Sequence, residues 1–200
     1  MDRLIEWAHT LARWGAWGGG GLLLLAAFII GIEVIIRKVF ALSIGGAAEL
    51  SAFALAISSA WAFSFTMVAR AHVRIETLYV ILPPRACAII DLLVHAIVTV
   101  VIGILTWYGW VVFKNSWVLS SRTMTPVPFP LDVPQFFWLA GLVFFLLVAI
   151  LLLVRAVQAL LAGDFAAIQR VIGPRSITEE LEEEVQQLRE RSRAARTTRR

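Results

Sequence analysis

The stretch VPQFFWLAGLVFFLLVAILLLV, residues 133–154, contains no charged side chain. A helix rises about 1.5 Å per residue, so a stretch of this length covers the hydrocarbon core of a bilayer, which is about 30 Å thick. Three further uncharged, apolar stretches of similar length are Gly15–Ile32, Leu50–Ala69 and Leu92–Phe113. Since backbone polar groups find no water inside lipid, each stretch must be helical. The sequence therefore predicts an all-α integral membrane protein with four transmembrane helices, at about 15–36, 50–69, 92–113 and 133–154.

The composition agrees with a membrane protein. Hydrophobic residues make up 60% of the 200 positions, 16% are charged, and the mean hydropathy is +0.81. A chain of this length with four spans leaves no room for a separate soluble domain. The net charge of +4 indicates contact with a membrane surface rather than with nucleic acid, because half of the basic residues lie at or beyond Arg155. The single cysteine, Cys87, excludes an internal disulfide.

Three segments flank or interrupt the four-helix membrane domain, which we place at residues 15–155. Residues 1–14 have an apolar face and predict an N-terminal interfacial helix that leads into an uncleaved first span. Residues 73–82 carry a one-sided apolar stripe on a helix too short to span, which predicts an amphipathic cytoplasmic helix between spans two and three. Residues 156–200 form a charged cytoplasmic tail, in which Ser176 and Glu179 make a capping-box pattern that predicts a short helix.

The distribution of basic residues predicts the orientation. An even number of spans puts both termini on one side of the membrane. That side collects 14 of the 18 Lys and Arg residues, and the opposite side holds Arg37, Lys38, Lys114 and Arg122. Because basic loops stay in the cytoplasm, both termini are predicted to be cytoplasmic.

Polar groups within a span are functional candidates, since lipid makes them costly. Glu33 lies four residues before Arg37, so it is either a functional carboxylate or half of an i,i+4 ion pair at the interface. His95 lies about one turn into the third span, and we interpret it as a hydrogen-bonded packing residue rather than a ligand. His9 and His72 fall outside the predicted spans, so the spans offer no histidine pair for haem.

Small residues are concentrated in the first two spans. Gly18–Gly21 is a run of four glycines, and Gly15 and Gly19 have the small-x-x-x-small spacing that lets another backbone approach closely. The second span is rich in Ala and Ser. Packing within one bundle and packing in a larger assembly both explain this pattern.

The spans lack the sequence marks of a self-sufficient transporter. They contain no chain of charged residues, no pair of broken half-helices and no inverted repeat. Those features build a substrate site at the membrane midplane. We therefore expect this protein to support another protein.

Three short motifs carry a resemblance to a known family: EVIIRKVF at 33–40, ELS at 49–51 and RAHVRIE at 70–76. With the Leu82-Pro83 break and the Thr-Pro-rich loop before the fourth span, they resemble the DctQ-type small membrane subunit of tripartite ATP-independent periplasmic (TRAP) transporters. The resemblance covers roughly residues 15–155. Members of the family often have Trp before the acidic residue that opens the second span, where this chain has Ala48, and the charged tail is not part of the pattern.

The resemblance implies a complex with a larger, DctM-type permease subunit, which would carry the substrate and sodium sites and move substrate by an elevator-like motion. This chain would be a fixed scaffold in the bacterial cytoplasmic (inner) membrane, in contact with lipids. Its outer loops would help dock a DctP-type periplasmic substrate-binding protein for uptake of an organic acid. The candidate partner or interface contacts are the polar residues of the motifs: Glu33, Arg37, Glu49, Arg70, His72, Arg74 and Glu76.

Two other classes of function stay open at this point. A membrane redox subunit would need axial ligands, which the histidine count disfavours. A lipid-modifying enzyme would need a polar constellation at the interface, and the 70–76 motif is the one segment that could supply it. We expect no enzymatic activity, no catalytic residue, no cofactor and no metal.

Overall fold

The computed structural model describes residues 2–42, 45–70, 82–125, 128–173 and 185, with side chains from Glu6 onward. The regular structure in these ranges is helical, and four helices are long and apolar enough to cross a membrane, as predicted. The helices are α1 (Asp2–Phe40), α2 (Ala47–Val68), α3 (Pro84–Val118), α4 (Asp132–Leu161) and α5 (Phe165–Ile172).

The first helix is one continuous element of 39 residues, about 58 Å long. It runs without a break through residue 14, so the structure does not separate the predicted N-terminal helix from the first span. The imidazole of His9 lies against the ring of Phe65 in α2, with centroids 5.9 Å apart. The N-terminal part of α1 therefore extends the packing against α2, and its position relative to a membrane interface stays a prediction.

The third helix begins eight residues before the predicted start of its span at Leu92. Pro84 occupies its first turn, where the fixed φ of proline suits a helix and the missing N–H needs no partner. Asp91, the residue just before the predicted span, is helical and fully buried. The helix therefore extends beyond its uncharged, apolar stretch at the N-terminal end.

The extensive contacts join the four long helices in a row, in the order α1, α2, α4, α3. In the most apolar 18 residues of each helix, 39% are buried in the central helix α4, whereas 17% are buried in the edge helix α1. We call one end of the helix axes the terminal face; there α1 and α3 begin, and α2 and α4 end. The opposite end, with the α1–α2 and α3–α4 connections, is the loop face.

A short helix, α5, lies across the terminal ends of α3 and α4. Asp164 caps it by accepting a hydrogen bond from the Ala167 N–H at 2.9 Å. Ile168 and Ile172 are buried in the core that α3 and α4 share. The amide of Gln169 donates to the Pro84 carbonyl at 3.3 Å, which ties α5 to the first residue of α3. This helix was not predicted from the sequence.

Two predicted helices cannot be compared with the structure. The amphipathic helix at 73–82 falls almost wholly outside the described residues. The predicted tail helix also lies outside them, except for Val185, which is helical.

Candidate functional site

The predicted contact residues that the structure describes are divided between the loop face and the terminal face. Glu33, Arg37 and Glu49 lie towards the loop face, and Arg70 follows the end of α2 at the terminal face. Glu49 and Arg70 are 21 positions apart, nearly all of them in α2, which amounts to about 31 Å along the axis, so they cannot form one site. His72, Arg74 and Glu76 lie outside the described residues.

Glu33 and Arg37 form the predicted i,i+4 ion pair, with Arg37 Nη2 donating to Glu33 Oε1 at 2.6 Å. The two side chains differ in exposure. The Glu33 side chain is 4% exposed, while that of Arg37 is 64% exposed. The ion pair, one of the two alternatives left open for Glu33, is therefore present, and within it Glu33 faces the protein while Arg37 reaches outwards. A buried carboxylate with one exposed cation fixes the guanidinium at the rim of the loop face.

Glu49 connects α2 to the loop before α4. Its Oε2 accepts a hydrogen bond from the Thr125 hydroxyl at 3.2 Å, and the Thr123 hydroxyl lies 3.0 Å from that of Thr125. The Thr123 hydroxyl also accepts the Phe129 N–H at 2.8 Å. The aromatic ring of Phe129 packs near that of Phe53, one turn along α2 from Glu49, with centroids 6.5 Å apart. Glu49 is thus the first link of a polar chain that holds the loop on α2.

That loop is a small hairpin. Arg122 and Pro130 form an isolated antiparallel bridge, and the Leu131 N–H donates to the Ser121 carbonyl at 3.0 Å. Met124, near its tip, is fully exposed. We call residues 121–131 the outer hairpin, of which 126 and 127 are not described. The prolines favour an extended path, and the bridge folds that path back on itself.

Arg70 stands where α2 ends, with φ at 53°. A residue in the left-handed conformation commonly ends a helix, but that residue is usually glycine, and other residues are uncommon there. Its N–H donates to the Met67 carbonyl at 3.1 Å. Arg70 is half-buried at the terminal face, so the first residue of the RAHVRIE motif lies directly after the end of α2.

A buried polar stripe on α3 extends beyond His95, the one member that was singled out from the sequence. Asp91, His95, Thr99 and Thr106 share one buried face of the helix. The expected hydrogen bond of His95 is confirmed: the side chain is buried, and its Nε2 lies 3.0 Å from the Ala149 carbonyl of α4. The Thr99 and Thr106 hydroxyls donate to carbonyls one turn earlier, at 2.8 Å in both cases. The i,i+4 spacing of Asp91 and His95, continued by Thr99, was the available signal.

Trp61 of α2 lies between glycines of two other helices. A Cβ atom on Gly15 of α1 would stand 2.6 Å from the indole, and one on Gly141 of α4 would stand 2.9 Å from it. The indole Nε1 donates to the Phe137 carbonyl at 3.1 Å. One turn away, the Ser58 hydroxyl donates to the Gly19 carbonyl at 2.8 Å. The small residues of the first two spans therefore serve packing within this chain at these positions.

Comparison with known proteins identifies a family. The sequence model for "Tripartite ATP-independent periplasmic transporters, DctQ component" matches residues 26–159, about two thirds of the chain. The matched region contains α2, α3, nearly all of α4, the outer hairpin and all seven predicted contact residues. Neither the curated proteins nor the solved structures gave a match.

Proposed function

The chain belongs to the DctQ family, the small membrane component of TRAP transporters, and from that membership we propose that it scaffolds the larger permease subunit and helps dock the periplasmic substrate-binding protein. The match over residues 26–159 is the observation that carries this proposal. Transporters of this family have three components, so membership implies two kinds of partner: a larger permease subunit and a binding protein. We further propose that the larger subunit couples transport to sodium and that the substrate is an organic acid.

The row of helices supports a scaffold role. A scaffold needs rigid internal contacts and a broad surface for its partner. The contacts around Trp61 supply the first, since the indole fills the space above two glycines of separate helices. The edge helices α1 and α3 supply the second, because long apolar side chains such as Phe28 and Ile97 point away from the chain. Lipid or another membrane helix can cover such faces without penalty.

The outer hairpin supports a role in docking. It stands beyond the apolar part of α3 and α4 and is held to α2 through Glu49 and Thr125. Its fully exposed Met124 offers an adaptable apolar contact, which methionine often provides on binding surfaces. We propose that the loop face is periplasmic and that a binding protein meets this hairpin there.

The proposed orientation places the terminal face in the cytoplasm and the chain in the inner membrane. Cysteines introduced at Ser120 and Ser192 test it in a Cys87→Ser background. We expect an impermeant thiol reagent to label position 120 and not 192 in cells stripped of their outer membrane. Labelling of position 192 alone would reverse the orientation without touching the family assignment.

Reconstitution tests the function. Liposomes should be prepared with this chain alone, with the larger subunit alone and with both, each with the binding protein, its labelled organic acid and an inward sodium gradient. We expect uptake only from liposomes that hold both membrane subunits. Uptake by the larger subunit alone at the same rate would show that the scaffold is unnecessary, and uptake by this chain alone would show that it is itself a transporter.

A further inference from the structure

An open trough runs along the outside of α1, at the end nearer the terminal face. It extends from Arg13 past Gly20 and Gly21 to Leu24, and Phe65 of α2 forms one wall. Its volume is about 510 Å³. Arg13, at one end, is the one charged residue among the described residues of the lining, so the trough has a charged mouth and an apolar body.

The glycines of α1 divide into two groups. Gly15 and Gly19 face α2, where a Cβ atom would meet Trp61 or Ser58. A Cβ atom on Gly20 or Gly21 would meet nothing within 4 Å, although glycine lowers helix propensity. Packing among the described residues therefore does not account for Gly20 and Gly21. Their lack of side chains is what keeps the trough open.

The charged mouth fits an anion. Arg13 is exposed and makes no ion pair with the part of the chain that the structure describes. Trp14 and Trp17 beside it are also exposed, with 70% and 76% of their surface accessible. Tryptophan prefers the level of the lipid headgroups, and arginine side chains reach out to lipid phosphates there. By these preferences, the three residues indicate that the mouth of the trough belongs at the level of the headgroups.

The length of the trough matches one leaflet. Arg13 and Leu24 are eleven positions apart, about 16 Å along α1, and half of a hydrocarbon core is about 15 Å. We propose that the trough binds one phospholipid of the leaflet at the terminal face, with its phosphate at Arg13 and an acyl chain along Gly20 and Gly21. A helix of the larger subunit is the competing occupant. A helix would have to cover the guanidinium of Arg13, whereas a phosphate neutralises it.

The experiment uses the full chain, purified in mild detergent and analysed by native mass spectrometry with added phosphatidylglycerol. The test variants are Gly20→Leu with Gly21→Leu, which fills the trough, and Arg13→Gln, which removes the charge. Gly31→Leu is the matched control, because a Cβ atom there also meets nothing within 4 Å and Gly31 is outside the trough. Leucine raises helix propensity at all three positions, so circular dichroism should show that the helices persist.

We expect the trough-filling pair to reduce bound lipid at least tenfold and Gly31→Leu to leave it unchanged. Arg13→Gln should weaken binding about fivefold, the size expected for one basic side chain at a lipid surface. It should not change the weaker binding of diacylglycerol, which lacks the phosphate. Equal lipid binding by all variants would overturn the proposal, as would an equal loss in Gly31→Leu. If the trough-filling pair instead keeps its lipid and loses the larger subunit on co-purification, the trough holds a partner helix.

Discussion

Replacement of Gly141 by alanine tests whether Trp61 holds the row of helices together. Gly141 lies on α4 where that helix meets α2. An added Cβ atom would stand 2.9 Å from both the Ala60 Cβ and the Trp61 Cδ1, closer than real Cβ atoms approach other atoms. The indole has little freedom to move away, because its other side rests on Gly15 and its Nε1 donates to the Phe137 carbonyl.

The size of the effect follows from three contributions. Forcing one methyl group into a packed contact costs about 1–3 kcal/mol. A displaced indole would also lose its interhelical hydrogen bond, worth about 0.6 kcal/mol on average in a membrane protein. Alanine recovers about 0.5–1 kcal/mol of helix stability relative to glycine. We expect the free energy of unfolding to fall by about 1–3 kcal/mol.

Equilibrium unfolding in mixed micelles with increasing sodium dodecyl sulfate, followed by circular dichroism, measures this change. Gly103→Ala is the matched control, because the nearest atom to its added Cβ is the Leu146 Cδ1 at 3.8 Å, an ordinary contact. In a Trp61→Phe background the cost of Gly141→Ala should shrink, since the smaller ring leaves room. A Gly141→Ala variant as stable as the control in both backgrounds would refute the close packing described above.

The remaining predictions concern the two faces. Glu49→Gln should make amide hydrogen exchange in the outer hairpin about tenfold faster, because the hydroxyl of Thr125 loses a charged acceptor; unchanged exchange would show that Glu49 does not hold the hairpin. The double change Arg70→Ala and Arg74→Ala should leave four inserted spans but weaken co-purification with the larger subunit and lower uptake, since each Arg contributes about 1 kcal/mol of attraction to anionic headgroups. Full retention of both properties would reduce this corner to a solvated turn.

The four spans were predictable because lipid imposes a single simple requirement. A helix that crosses the hydrocarbon core must be about 20 residues long and apolar, and residues 133–154 satisfy this without reference to any other part of the chain. The ion pair of Glu33 with Arg37 was predictable because it is equally local: both partners lie on one turn of one helix.

The features that the sequence analysis missed depend on contacts between distant segments. The burial of Asp91 could not be predicted, because nothing near it in the sequence indicates that α4 and α5 pack against α3. Helix α5 has a visible start at Asp164 and apolar residues at Phe165, Ile168 and Ile172, but eight residues are too few to distinguish a helix from a loop by pattern. The position of Trp61 between two glycines requires knowing which helices are neighbours.

The open arrangement of the helices also has a physical explanation in the membrane. In water, the exposed apolar side chains of α1 and α3 would drive the four helices into a closed bundle. Lipid removes that driving force, and the order of the helices is decided by close packing and interhelical hydrogen bonds instead. The contacts of Trp61, Ser58 and His95 all lie between neighbours in the row. A row held together in this way keeps both edge helices available, which is what a small subunit needs if it is to contact a larger membrane partner and the surrounding lipid at once.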